Sequence, residues 1–587
     1  AKEVNNRALG NQLAEIRGNN TTIIAQNSIN NIGAKISANE NLNLVAINGD
    51  IVNKSTIKNV EYNFGDLDRT KHSELVSVGQ IVSNGNLNIL GNNFTSTAAL
   101  TKGNNIALNV KENVNIDSLK LSGEEKFGSN SKNYTSYAFE KNIGSDLEGK
   151  NITISGKNLN IKGSSVIAEN ALIKTKNVNI VSDVNYENRE SSSKTKTGFL
   201  SSKSSEEKSH EEINSVGNLH VKNQGIIKGD VNLVGSNLVL GDNSFVAGKV
   251  TTDSRELNST YSYKESKKGF SSSIGSSGFS IGYGKTESKL KEKDLTNAKS
   301  NLVLGDNVTL NKGADITATN LIHGQVSINN GDVKFGARKD TKDVETSTNS
   351  SGLNLSVKIK SEAVDRAKQG VDSFKQMKSG DILGGLASTT NTVTGVVSGL
   401  ASNQGTKLPT SAVNADNTVG KDNLKAAQAT NNFYADAGVN FGYTKSSSKT
   451  NSHSESAVVT TIKGKDENSS ITYNNVKNIE YIGTQAQNTK FIYNNVENIT
   501  KKAVELNNYS SSSSKSSGIS TGVTIGYGDG IQTEGNGVSI SASKSKMNSN
   551  GTTYQNGRFV NVDEVHNNTK NMTLSGFNQV GGKVTGN

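Results

Sequence analysis

Six histidines stand at positions 72, 210, 220, 323, 453 and 566 of this 587-residue chain, which has no cysteine. With no thiolates, scattered histidines and no His-Glu-x-x-His spacing, a metal site is not expected. His220 sits at an alternating position of the word Asn218-Leu219-His220-Val221, where it reads as satisfied or solvent-facing rather than as a ligand. The pairs Glu124-Glu125 and Glu211-Glu212 have the residue type for acid–base chemistry. They stand in Ser-rich stretches, however, and read as solvated faces. Leu240-Gly241-Asp242-Asn243 and Leu304-Gly305-Asp306-Asn307 suggest calcium but lack the nonapeptide form, so they read as turns. Gly526-Tyr527-Gly528-Asp529-Gly530 has the wrong spacing for a dinucleotide loop, and neither a phosphate loop nor a nucleophile elbow is found. No catalytic, cofactor-binding or metal-ligating residue is expected, and no cofactor. The chemistry left is that of contact. Tyr261, Tyr263, Phe270, Phe279, Tyr283, Tyr443 and Tyr527 stand among Ser, Lys and Gly. Amphipathic rings of this kind give contact area at low entropic cost, and these seven are the candidate surface contacts.

What positions them is a repeat. The word Asn-apolar-x-apolar recurs at Asn41-Leu42-Asn43-Leu44, Asn86-Leu87-Asn88-Ile89, Asn113-Val114-Asn115-Ile116, Asn158-Leu159-Asn160-Ile161 and Asn177-Val178-Asn179-Ile180. Each word alternates with period two, the pattern of a short strand with one buried face. The steps from Ile23 to Leu42, Leu87 to Ile106, Leu159 to Val178, Leu219 to Leu238 and Leu302 to Leu321 are all nineteen residues. Ile471–Ile479 returns twenty residues later as Phe491–Ile499. Short strands at this period, with Asn and Gly between them, predict an all-β fold, a parallel β-helix with about 19–20 residues per coil. Equivalent residues then stack at about 4.8 Å. Leu, Ile and Val make a continuous core, and Asn side chains ladder amide to amide.

Polar stretches at 61–75, 123–148, 186–214, 253–298 and 339–355 interrupt the coils. They read either as disordered loops or as β-hairpin arms. Arms are favoured because aromatics gather there and the sequence alternates, as in Thr260-Tyr261-Ser262-Tyr263. From about 357 the period changes. Val364, Ala367, Val371 and Phe374 lie on one helical face, and a second apolar run ends before Pro409. The expected organisation is a β-helix with arms over 1–356, a helical hairpin insertion and linker over 357–430, and a second β-helical segment with arms over 431–587. The hairpin would pack on the solenoid or, since 382–404 carries no charge, act on a membrane. The Gly-aromatic words at 278–284, 438–443 and 522–527 resemble the lipid-facing alternation of outer-membrane barrels. Three short copies cannot close a barrel, so packed hairpins are expected.

A net charge of +10 over 587 residues is a weak argument for an anionic surface, and nucleic acid is not expected as a partner. One Pro and no three-residue Gly period exclude collagen, and the missing cysteine excludes a disulfide scaffold. No apolar run is long enough for a membrane-spanning helix, and Ala1–Arg7 lacks a signal-peptide core. The chain is therefore read as an internal piece of something longer.

Coils followed by Ser-rich arms that end in Gly-aromatic-Gly carry a resemblance. So does the tail, Asn550-Gly551-Thr552-Thr553-Tyr554 through Met572-Thr573-Leu574-Ser575-Gly576 to Gln579-Val580-Gly581-Gly582-Lys583-Val584. Together they resemble the hemagglutinin-repeat region of two-partner-secreted exoproteins of Gram-negative bacteria, among them filamentous hemagglutinin adhesins and contact-dependent growth-inhibition effectors. The resemblance implies a right-handed parallel β-helix, a secreted filament at the bacterial surface exported through an outer-membrane partner. It also implies engagement of a target cell surface or outer membrane, and in some relatives delivery of a C-terminal toxin absent from this chain. The expected role is structural and adhesive, not enzymatic. A passive stalk without its own partner is the alternative. A lyase or hydrolase on a β-helix is disfavoured, since no cluster of carboxylates or Lys/Arg recurs on one coil face.

Overall fold

The computed structural model describes residues 1–65, 67–198, 200–275, 278–361, 435–527 and 531–587, and among these every regular element is a strand. The Asn-apolar-x-apolar words build a parallel β-helix of three-sided coils. Leu100–Val110, bent near Gly103, supplies two sides of one coil, and Asn113–Asp117 supplies the third. The column Ile29, Ile51, Phe94, Val114, Leu159, Val178, Val231, Val250 and Ala314 runs down the inside, each residue paired in parallel register with the next. All of them are buried. On the outside, amides ladder as expected: Asn41 donates to Asn20 (2.7 Å), Asn86 to Asn41 (2.8 Å), Asn105 to Asn86 (2.9 Å) and Asn151 to Asn105 (2.8 Å).

The nineteen-residue step holds from Leu87 to Ile106, Leu159 to Val178, Leu219 to Leu238 and Leu302 to Leu321. It fails at the first coil. Ile23 pairs with Leu44, not Leu42: the pairs from Glu15 to Gly18 are already twenty residues apart, and a bulge between Gly18 and Asn20 adds one more. The Gly-Asp-Asn words are stacked turns. Asn243 and Asn307 take φ of 60° and 55°, and Asn307 donates to Asn243 at 2.7 Å.

Six arms leave the solenoid, all from the corner between the third side of one coil and the first side of the next. Their strands are Thr56–Asn63 with Arg69–Ser77, Leu119–Asn130 with Asn133–Ile143, Asp183–Gly198 with Ser201–Ser215, Arg255–Gly275 with Gly278–Ala298, Val333–Ser361 with Ala435–Val459, and Val504–Tyr527 with Ile531–Gln555. Each arm is an antiparallel pair. The expected helical hairpin insertion and linker over 357–430 lies, from 362 on, outside the described residues. Its first residues, 357–361, close the strand Val333–Ser361.

Arms leave every second coil. In the coils between, the same corner is one tight turn with a left-handed residue: Gly33, Ala98, Gly163, Gly235, Ala318, Gly483 and Gly576, with φ of 45–67°. Glycine suits this corner because it accepts that φ without strain. A Cβ on Gly235 would also lie 2.4 Å from Arg255 Cβ, at the root of the next arm.

The alternation has a geometric consequence. Two coils occupy about 9.6 Å along the axis, and a hairpin two strands wide occupies the same. Arms from alternate coils therefore tile without gap or overlap. Neighbouring arms pair edge to edge throughout, giving a second, antiparallel sheet of twelve strands that stands off the solenoid as a fin.

His323 lies fully buried in a coil wall. Its Nδ1 donates to the Gly324 carbonyl (2.8 Å), and Nε2 faces Thr489 Oγ1 at 3.1 Å. Burial pulls its imidazole down to about 4, against a partial upward pull from the Gly324 carbonyl. The unfolded chain, with an ordinary His value near 6.5, takes up the proton first as pH falls. Stability is thus intact above about pH 6.5 and declines between there and about pH 4, by about 3 kcal/mol in all. Denaturant melts from pH 7 to 4 should show this slope, and His323→Asn should remove it.

Candidate interaction surface on the arm sheet

The fin's distal part is built by the last three arms, which outreach the others. Along their strands apolar residues alternate with Gly, Ser and Asn, so the register assembles apolar rows on one face. Phe270 pairs with Tyr283, Tyr283 with Leu353, Leu353 with Tyr443, Tyr443 with Ile519 and Ile519 with Ile540. The next row on that face runs Ile281, Leu355, Phe441, Thr521. Most of these side chains are open to solvent, from 38% for Leu355 to 75% for Ile540. The other face at the same level carries Gly282, Gly284, Gly352, Gly442 and Gly518 with Ser271, Asn354 and Ser520. Exposed apolar patches of this extent mark interaction sites.

Directly below the apolar rows, on the same face, the sheet turns basic. The adjoining row holds Lys268, Lys285 and Lys445. The one below holds Lys515 and Lys544 with Glu287, and the next Lys264, Lys289, Lys449 and Lys546. All nine lysines are exposed. Glu287 is the one carboxylate that the last three arms place in these rows. It pairs with Lys289 at 2.9 Å, and that ammonium holds its carboxyl below the usual range. Nearer the solenoid, a groove of about 920 Å³ crosses the sheet, lined by Lys208, His210, Thr260, Lys291, Lys293 and Tyr509 among others. His453 stacks on Tyr509 (5.1 Å) at its margin and meets Asp343 at 2.6 Å.

Of the aromatics singled out in the sequence, Phe270, Tyr283 and Tyr443 share the first apolar row, and Phe270 and Tyr283 are in contact at 5.0 Å between centroids. Tyr261 and Tyr263 are on the opposite face, because their positions on Arg255–Gly275 have the other parity. There Tyr261 is partly buried, and burial with the nearby Glu207 pushes its phenol up to about 12. Phe279 pairs through its backbone with Ile274 and Val357, and Tyr527 with Ala435 and Ile531. Sequence reasoning missed Leu353, Leu355, Ile519 and Ile540 because it followed the aromatic words. The signal was the plain alternation Leu353-Asn354-Leu355-Ser356 and Val538-Ser539-Ile540. Among the described residues no group of three His, Asp or Glu is placed to hold a metal ion.

A family model described as hemagglutinin repeat matches residues 126–201, 200–317 and 441–587, together more than half of the chain. No curated protein and no solved structure matches it.

Proposed function

The chain belongs to the hemagglutinin-repeat family, and on that premise we propose that its fin is the part of an extracellular, adhesin-like filament that engages the surface or outer membrane of a target cell. The β-helix is the rod, and the arms carry contact residues away from it. The observation that carries the reading is the exposed apolar row from Phe270 to Ile540, which a passive spacer has no need to expose. The parent protein is read as a Gram-negative exoprotein exported through an outer-membrane partner. Where such a parent ends in a toxin, the fin supports its delivery by holding the filament on the target.

Co-sedimentation with outer-membrane vesicles tests this. The chain is expected to bind, and to stay bound in high salt, since apolar contact is not screened. Phe270→Ser with Tyr283→Ser and Tyr443→Ser should weaken binding by at least about tenfold, the loss of roughly one buried apolar side chain's transfer energy. If neither protein binds, the passive stalk is the better reading.

A further inference from the structure

The apolar rows and the lysine rows share one face and adjoin one another. This plane meets two requirements at once, apolar matter at the distal end and negative charge immediately below it. We infer that it is a membrane-facing surface that lies on, rather than crosses, a bilayer bearing phosphate-rich anionic headgroups. The inference rests on the target-engagement reading above and names the partner chemistry.

Three observations lead to it. First, a bilayer surface presents acyl chains and, within one Debye length, a layer of anionic charge. Phe270, Leu353, Phe441 and Ile519 supply the apolar contact, and the lysines from Lys268 to Lys546 supply the charge. Second, only one face is apolar. The reverse face carries Gly, Ser and Asn, so a sheet lying flat keeps that face in water, as an amphipathic helix does at an interface. Third, the apolar part is an open sheet. The third arm pairs with the strand Arg255–Gly275 only as far as Lys268, and the Phe270 N–H donates to Ser201 Oγ at 3.3 Å, so among the described residues the backbone edge of that strand beyond Phe270 has no strand beside it. In the hydrocarbon centre each unpaired backbone group costs several kcal/mol, whereas at the interface water satisfies it. Charge thus selects the lipid, and the open edge limits the depth.

The test uses the full chain and protein-free liposomes, of neutral phosphatidylcholine or of phosphatidylcholine with phosphatidylglycerol, loaded with a self-quenched dye. Flotation should show binding to the anionic vesicles at least about a hundredfold tighter than to the neutral ones, with no dye release. Replacing Lys268, Lys285, Lys445, Lys515 and Lys544 by Gln should weaken anionic-vesicle binding by about a hundredfold or more. The Phe270→Ser, Tyr283→Ser, Tyr443→Ser variant should still bind at low salt and detach at high salt. All these positions except Tyr283 are exposed, so far-UV spectra should match the parent chain. Equal binding to both lipids would remove the role of the lysines, and dye release would show that the sheet crosses the bilayer. Failure to bind liposomes by a chain that binds outer-membrane vesicles would overturn the lipid assignment and leave target engagement standing.

Discussion

Glu564→Gln is expected to destabilise the C-terminal coils by about 3–5 kcal/mol, because it leaves the Lys501 ammonium buried without its counter-charge. Both side chains are almost inaccessible, at 2% and 1% exposure, inside the core of the coils. Lys501 Nζ donates to both carboxylate oxygens of Glu564 at 2.7 Å. Tyr493 donates to the same carboxylate at 3.1 Å and meets the Tyr481 hydroxyl, which donates to Tyr473 at 2.9 Å. Phe559 and Phe577 offer their ring faces to the ammonium at 4.6 and 4.7 Å. Burial pulls the Lys501 ammonium below its usual range, and Glu564 offsets only part of that. Removing the carboxylate charge therefore pushes the lysine further towards neutrality and exposes the full cost of its burial. Lys501→Met combined with Glu564→Leu should recover most of the loss, since replacing a buried pair by apolar groups is often neutral or better. Coils interact mainly with their neighbours, so the loss should be local. Hydrogen exchange of the strands Gln485–Lys502 and Gly557–Ser575 is the measurement. Unchanged protection there in Glu564→Gln would show that the pair contributes little.

The coil was legible in the sequence because its core repeats residue by residue. A stacked column needs an apolar residue at the same place in each turn, and the words Asn-Leu-x-Ile announce it. The aromatic segment was legible in the same way: Tyr473 and Tyr493, one repeat apart, stack at 5.2 Å. The charged pair inside that segment was not. A Lys or Glu at an inward position reads as a break in the pattern unless its partner is known, and Lys501 and Glu564 lie 63 positions apart. The arms could be read as hairpins from their alternation. Their union into one sheet could not, because edge pairing depends on where successive arms leave the axis, and that is a property of coil count. For the same reason Tyr261 and Phe270 were grouped as one contact set. Strand parity, visible once the hairpin register is known, puts them on opposite faces.

Coil count is also where the fold is most open to a decisive change. Deleting residues 218–236 removes one armless coil and keeps the phase of the core, since Asn237 takes the place of Asn218, its partner one repeat earlier. The third and fourth arms would then leave adjacent coils, about 4.8 Å apart instead of about 9.6 Å. Two hairpins, four strands wide, cannot share that spacing, so one must leave the sheet. The expected result is a fin split at this point, with Ser201–Ser215 and Arg255–Gly275 no longer paired. Their amides should then exchange at rates near those of an exposed edge, while the coils on either side stay protected. Deleting residues 218–300 is the matched control. It removes two coils and the fourth arm, brings Asn301 to the place of Asn218, and restores the alternation, so the third arm should pair with Val333–Ser361 and the fin should remain whole. The longer deletion is thus expected to be the milder one. If the shorter deletion leaves the fin as protected as in the parent chain, the spacing of arms along the axis does not govern their pairing.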